Sequence, residues 1–218
     1  MPIKIRAYQP ADRDAVRSIC CETGFLGDPV EPIYADRPSF ADLITSYYTD
    51  VEPESALVVD VDGKVVGYLL GCLDSKKAWS PERIALRHVL TRGICFRPGT
   101  AAFYWRGLLD PLRDLASGAN KQPHPDLALW PGHTHFSVLP EARSLPVVPG
   151  LFRSFFKLAR ERGCHGVYGE VFVENERAMA MHRALGFATS GEPWPVPGMR
   201  LPSGARMHVQ LWTRSTKQ

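Results

Sequence analysis

The stretch from Thr134 to Phe187 constrains this chain more than any other. Thr134 to Leu139 has the pattern of a β-strand, Leu151 to Arg162 reads as a long helix stopped by Gly163, and Val167 to Val173 reads as a second strand. Strand, helix, strand in that order is a crossover, and such crossovers are right-handed and join parallel strands. Glu174-Asn175 then opens a helix that runs through Ala184 and closes on Gly186-Phe187. A strand feeding a loop and a helix start offers aligned amide donors to a phosphate. Two parallel neighbours that splay apart would open a slot for an extended cofactor arm.

The flanking sequence completes a mixed α/β pattern. Ile3 to Tyr8 alternates as a first strand, and Pro10-Ala11-Asp12 opens a helix with a stripe at Val16, Ile19 and Cys20 that ends at Gly24. Asp12 is placed to accept from the orphan amides at that helix start. A second short helix fits Ser39 to Tyr48. Ser55 to Val61 and Lys64 to Leu73 are apolar runs separated by Asp62-Gly63, the pair that a type I′ hairpin turn favours because both residues need positive φ. Glu82 to Thr91 and Ala101 to Ala116 look helical, so residues 76–130 read as a helical insert between the third and fourth strands, with a polar, turn-rich stretch at Ser117 to Pro125. Phe187 to Ser190 and Arg206 to Thr213 supply the last two strands, with Pro193, Pro195, Pro197 and Pro202 in a loop between them. The expectation is one three-layer domain over residues 1–218, a central sheet of about seven strands flanked by helices.

Composition excludes several alternatives. With 218 residues, 44% hydrophobic and 22% charged, the chain can build a core without metal or disulfide staples. No apolar run approaches the ~20 residues of a membrane span. Charges at Lys4 and Arg6 sit where a signal peptide needs its apolar core, so a cytoplasmic protein is expected. A net charge of +3 leaves no footprint for nucleic acid. Five cysteines without a C-x-x-C pair read as reduced, buried thiols.

Asn175-Glu176-Arg177-Ala178 followed by Leu185-Gly186-Phe187 resembles the N-x-x-A…L-G-F signature of the GNAT family of N-acetyltransferases. Val138-Leu139-Pro140-Glu141-Ala142-Arg143 is similar to the end of that family's fourth strand and its acetyl-CoA loop, and Ile5-Arg6 with Ala11-Asp12-Arg13-Asp14-Ala15-Val16 is similar to its first strand and helix. Gly132-His133-Thr134-His135-Phe136 and Glu52-Pro53-Glu54 further resemble bacterial acetyltransferases akin to the acetyltransferase-like domain of O-GlcNAcase. The resemblance implies a GNAT-like fold and acetyl-CoA as co-substrate. It also implies direct attack of a primary amine, on a small molecule or a protein, upon the thioester. In that reading Val138, Leu139, Arg143, Ser144, Val148 and Asn175 face the cofactor, and a backbone amide near Val138 or Leu139 polarises the thioester carbonyl.

Two departures from the family pattern matter. Where the family loop reads R/Q-x-x-G-x-G/A, this chain has Pro146, which has no amide proton, and Val148, which brings a branched side chain. The cradle is expected to be poorer by at least one donor, ~1 kcal/mol or more. Arg143 either reaches a phosphate or is a solvated loop residue. The alternative to an active enzyme is therefore an acetyltransferase-like binding module with a degenerate cofactor loop. An acyltransferase that takes a different acyl-CoA is a weaker alternative.

The second departure is His182, seven residues after Asn175, where the family usually has the Tyr that protonates the departing thiolate. Histidine can hold a proton near neutral pH, or it can simply pack against the sheet. Glu170 and His135 are candidates for the base that deprotonates the ammonium, or they are structural. His133 and His135 share a face at i, i+2, but no third ligand marks a metal site.

The insert concentrates Arg83, Arg87, Arg92, Arg97 and Arg106 with Trp79, Phe96, Phe103, Tyr104 and Trp105. It fits a lid over the acceptor, a solvated basic face over an aromatic stripe, or a homodimer surface.

Overall fold

The Asp62-Gly63 turn forms as expected, with φ of 52° and 83°, and joins strands β2 (Ala56–Val61) and β3 (Lys64–Cys72). The computed structural model describes residues 3–117, 124–143 and 146–217. Strand β1 (Ile3–Ala7) pairs antiparallel with β2. The remaining strands are β4 (Gly132–Val138), β5 (Gly166–Phe172), β6 (Ala188–Arg200) and β7 (Arg206–Ser215). All seven form one sheet in the order β1-β2-β3-β4-β5-β7-β6. Only β4 and β5 pair in parallel.

Helices α1 (Arg13–Glu22) and α2 (Arg37–Asp50) cover one face of the sheet. Helix α5 (Val147–Glu161) and α6 (Glu176–Ala184) cover the other. Local chemistry sets the ends. Asp36 caps α2 by accepting from Ser39 N at 3.0 Å, and Asn175 caps α6 by accepting from Ala178 N at 3.0 Å. Asp12 takes the Gln9 amide at 2.8 Å and an ion pair with Arg6 at 2.7 Å, which ties β1 to the start of α1. On the α5 face, Leu69, Phe152, Phe155, Val167 and Trp212 are almost fully buried; on the α1–α2 face, Val16, Val58, Tyr68 and Leu70 are. Four of the five cysteines are buried, and all are free thiols.

The insert contributes α3 (Pro81–Arg92) and α4 (Ala101–Ser117). Ser80 caps α3, and Gly93 at φ 57° ends it in the left-handed conformation that glycine adopts without strain. Contacts toward α2 and toward the far edge of the sheet tie the insert down. Tyr34, between α1 and α2, holds Tyr104 by a 2.6 Å hydrogen bond and packs its ring against Phe103. At the far edge of the sheet, Asp110 is 1% exposed, pairs with Arg200 at 2.6 Å and accepts from Gly198 N at 2.9 Å. Burial pushes the Asp110 carboxyl up, but Arg200 and the Gly198 amide outweigh it and hold it below the ordinary range. Part of the turn-rich stretch expected at Ser117 to Pro125 lies outside the described residues.

Two expectations need correction. The prolines after Ser190 do not leave the sheet: β6 continues to Arg200 with two breaks in register, which an edge strand tolerates because its outer amides have no partner to lose. Helix α5 starts at Val147 rather than near Leu151, because Pro146 takes the N-cap position and Val147 and Val148 point into the core. The branched side chain of Val148 therefore does not stand in the expected phosphate loop.

Candidate active site

The β4–β5 pairing covers two positions, Gly132 with Val167 and His133 with Tyr168. Beyond them the strands part, leaving Thr134–Val138 and Gly169–Phe172 as walls of a wedge. The five β4 residues from His133 to Ser137 are only half-buried despite lying on a central strand. Along the other edge of β4, Leu139 N donates to Val66 O at 2.9 Å. Antiparallel pairing uses alternate residues, so the amides of Phe136 and Val138 turn toward β5 and into the wedge. Leu139 is thereby corrected: its amide is committed to β3, and Val138 is the one that faces the opening.

On the α1–α2 side the wedge presents His133, His135, Tyr168 and Glu170, with the buried Tyr68 of β3 behind His135. His135 Nε2 lies 3.1 Å from the Tyr68 hydroxyl, and His133 Nδ1 lies 2.7 Å from Ser75 Oγ. Tyr48 and Tyr168 pack their rings against His133 at 5.7 and 5.4 Å. Desolvation depresses both histidines to about 4, and for His135 the neighbouring His133 adds to it, so both rings are neutral at physiological pH. Burial likewise keeps the phenols of Tyr48 and Tyr68 protonated. Glu170 is different. The residue is exposed at the surface and makes no hydrogen bond or ion pair among the described residues, and desolvation of its carboxyl raises it above the ordinary value.

His182 approaches the wedge from the opposite side. It is 5% exposed and lies among Phe136, Phe187 and Trp212, with ring centroids 5.2–5.9 Å away. Its Nδ1 lies 2.9 Å from Ala178 O, which fixes the proton on Nδ1. Nε2 points at the parting strands, 3.6 Å from where a Cβ on Gly169 would stand. Desolvation lowers its pKa against the smaller opposing pull of the Ala178 carbonyl. The lowered pKa makes the ring a weaker proton store near neutral pH, and this tautomer leaves Nε2 as an acceptor.

The mouth of the wedge holds two arginines. Arg143 Nε donates to Val138 O at 3.2 Å, and its Nη2 donates to Gly27 O. Arg177, which the sequence reading passed over, reaches the same Gly27, and its charge depresses Arg143 further after desolvation. Leu26 and Gly27 form a tight turn with φ of 54° and 99°, closed by reciprocal bonds between Phe25 and Asp28 at 2.8 Å. Above this mouth, α5 begins without a side-chain cap. Asn175 serves α6 as its cap, and Ser144 lies outside the described residues. Among the described residues, no three His, Cys, Asp or Glu side chains gather as metal ligands would. A cleft of about 400 Å³ between α1 and the hairpin touches Leu139 but none of Glu170, His135 or His182.

No protein-family model matches the chain. Solved structures do. SsHAT matches with a TM-score of 0.67 at 24% identity over 100% of both chains. An N-acetyltransferase from Staphylococcus aureus Mu50 matches with a TM-score of 0.61 at 12% identity over 99% of both chains. A GNAT-superfamily phosphinothricin acetyltransferase from Sinorhizobium meliloti, solved in complex with acetyl-CoA, matches with a TM-score of 0.58 at 16% identity over 99% of this chain and 89% of its own. The chain thus has the fold of the GNAT acetyltransferases. No helix among the described residues is long and apolar enough to cross a membrane.

Proposed function

We propose that this chain is an acetyl-CoA-dependent N-acetyltransferase that moves an acetyl group to a primary amine of a small molecule or a protein. The observation that carries the reading is Glu170: a carboxylate on β5 with no hydrogen-bond or ion-pair partner among the described residues, at the parting of β4 and β5, in a fold shared with N-acetyltransferases. Acetyl-CoA supplies the activated acyl group. The wedge suits its extended arm, with the Val138 amide placed to polarise the thioester carbonyl, and Arg143, Arg177 and the uncapped start of α5 suit its phosphates. Glu170 takes one proton from the incoming ammonium, so that the free amine bonds to the carbonyl carbon; the carbon–sulfur bond then breaks, and the nitrogen's second surplus proton passes to solvent. The leaving thiolate needs no resident acid, because a thiol with pKa near ~8.5 leaves readily and takes its proton from solvent. His182 then orients the sulfur end of the slot rather than protonating it. Glu52 accepts from Leu73 N at 2.9 Å and from Tyr47 Oη at 2.9 Å, which ties the start of the hairpin to the end of β3. A cytoplasmic setting agrees with the free thiols.

One observation favours a second reading, a binding module that has lost the cofactor: Arg143 is already occupied by two backbone carbonyls. A thermal-shift titration separates the two. Acetyl-CoA at about a hundred times its Kd should add about 2.7 kcal/mol and raise Tm by roughly 5–10 °C. No shift at millimolar acetyl-CoA establishes the module.

A further inference from the structure

We propose that this chain pairs with a second copy of itself through the outer face of α3 and α4. Helix α4 is inverted relative to an ordinary surface helix. At 100° per residue, Phe103, Gly107, Asp110 and Asp114 fall on one side. That side faces the body, through the Asp110–Arg200 and Asp114–Arg206 pairs and the close approach of Gly107 to Gly198. The opposite side carries Trp105, Leu108, Leu109, Leu112 and Leu115, all between 42% and 80% exposed. Phe96 extends the same face at 77%, against Trp105 at a ring distance of 6.3 Å, and Leu86 and Leu90 of α3 are exposed as well, at 57% and 75%. Of the twelve exposed large apolar side chains among the described residues, ten fall between Trp79 and Leu129. The rest of the surface is therefore ordinary.

Size and charge select the occupant. Trp105, Phe96 and the four leucines of α4 present on the order of 700 Å², close to what one partner brings to a standard interface and above the largest patch of a typical monomer. A stripe of Leu and Trp without a carboxylate is self-complementary, as a twofold contact requires. An antiparallel pairing of α4 with its copy, centred on Leu109, sets Arg113 opposite Trp105 of the other chain, a cation–π partner. An anionic lipid surface is the competing occupant, since arginines rim the face. Three of them already lean on carboxylates: Arg92 and Arg97 on Asp36 at 3.9 and 2.7 Å, and Arg113 on Asp110 at 3.9 Å. That weakens the field a lipid surface would feel.

Sedimentation velocity on the full chain from 1 to 100 µM tests the proposal. The expected species has twice the 24.3 kDa of one chain. Leu109→Glu with Leu112→Glu, and separately Leu115→Lys, should raise the dissociation constant at least tenfold while leaving the circular dichroism spectrum unchanged, since all three side chains face solvent. Single-chain mass for the native protein at 100 µM overturns the proposal, as does a dimer that survives both variants. Co-sedimentation of a monomeric native chain with phosphatidylserine vesicles, lost in the same variants, overturns it in favour of a lipid surface.

Discussion

The brace between α4 and β6 gives the most direct test of how the insert is held. Asp110→Ala removes two bonds to Arg200 Nη2, at 2.6 and 2.7 Å, and one from the Gly198 amide at 2.9 Å. It leaves the Arg200 side chain, 13% exposed, as a nearly buried cation without its counter-ion. Breaking one side of such a pair costs about 3–5 kcal/mol, most of it the penalty on the survivor. For a chain of this length that lowers Tm by roughly 6–20 °C. Calorimetry at pH 7 reads it directly. Asp110→Leu combined with Arg200→Met removes both charges and should recover most of the loss, because a well-packed apolar pair is often no worse than a buried ion pair. The sign with pH follows from the depressed Asp110 carboxyl: its stabilisation is complete above the ordinary carboxyl value of ~3.9 and is lost as pH falls below it. A single substitution costing under ~1 kcal/mol, or a double variant no more stable than the single, refutes the reasoning.

Other outcomes follow from the site and the core. Glu170→Gln should lower kcat by about 10²–10⁴ in an amine-acetylation assay with little change in KM for acetyl-CoA; an unchanged kcat removes Glu170 as the base. The same variant should be slightly more stable at neutral pH, since a raised carboxyl pKa means the fold disfavours the ionised form that pH 7 imposes. His133 and His135, held to about 4, keep the fold stable above pH ~6.5 and withdraw that stability as pH falls from there toward 4. His135→Gln should flatten the fall in Tm over that window; an identical profile contradicts it. Gly71→Ala would set a Cβ 2.1 Å from Cε2 of the fully buried Phe155, so urea denaturation should show a loss of roughly 1–3 kcal/mol, partly restored by Phe155→Leu.

The elements were legible wherever a local signal decided them. Asp62-Gly63 announced its turn because only a few residues accept positive φ in succession, and the crossover from Thr134 to Val173 announced itself by period and order. What the sequence hid was direction. Alternation shows that β4 has two faces and two edges, but only the pairing with β3 shows that Leu139 gives its amide away while Val138 keeps its own for the wedge. Which side of α4 faces the body was equally hidden, since it is set by two arginines more than 85 residues downstream that hold Asp110 and Asp114. Arg177 carried no mark at all, since its importance comes from Gly27, which is distant in the chain. The prolines of β6 misled because an edge position, the one place that excuses them, is a property of the whole sheet.

The two-rung join between β4 and β5 has a mechanical consequence. It divides the sheet into a four-stranded slab, β1 to β4, and a three-stranded slab, β5 to β7, stitched along a seam far shorter than either. Any molecule long enough to lie in the crevice and take the stranded amides of Phe136 and Val138 extends that seam. Occupancy would then be felt as stiffness across the molecule's middle, well beyond the atoms it touches.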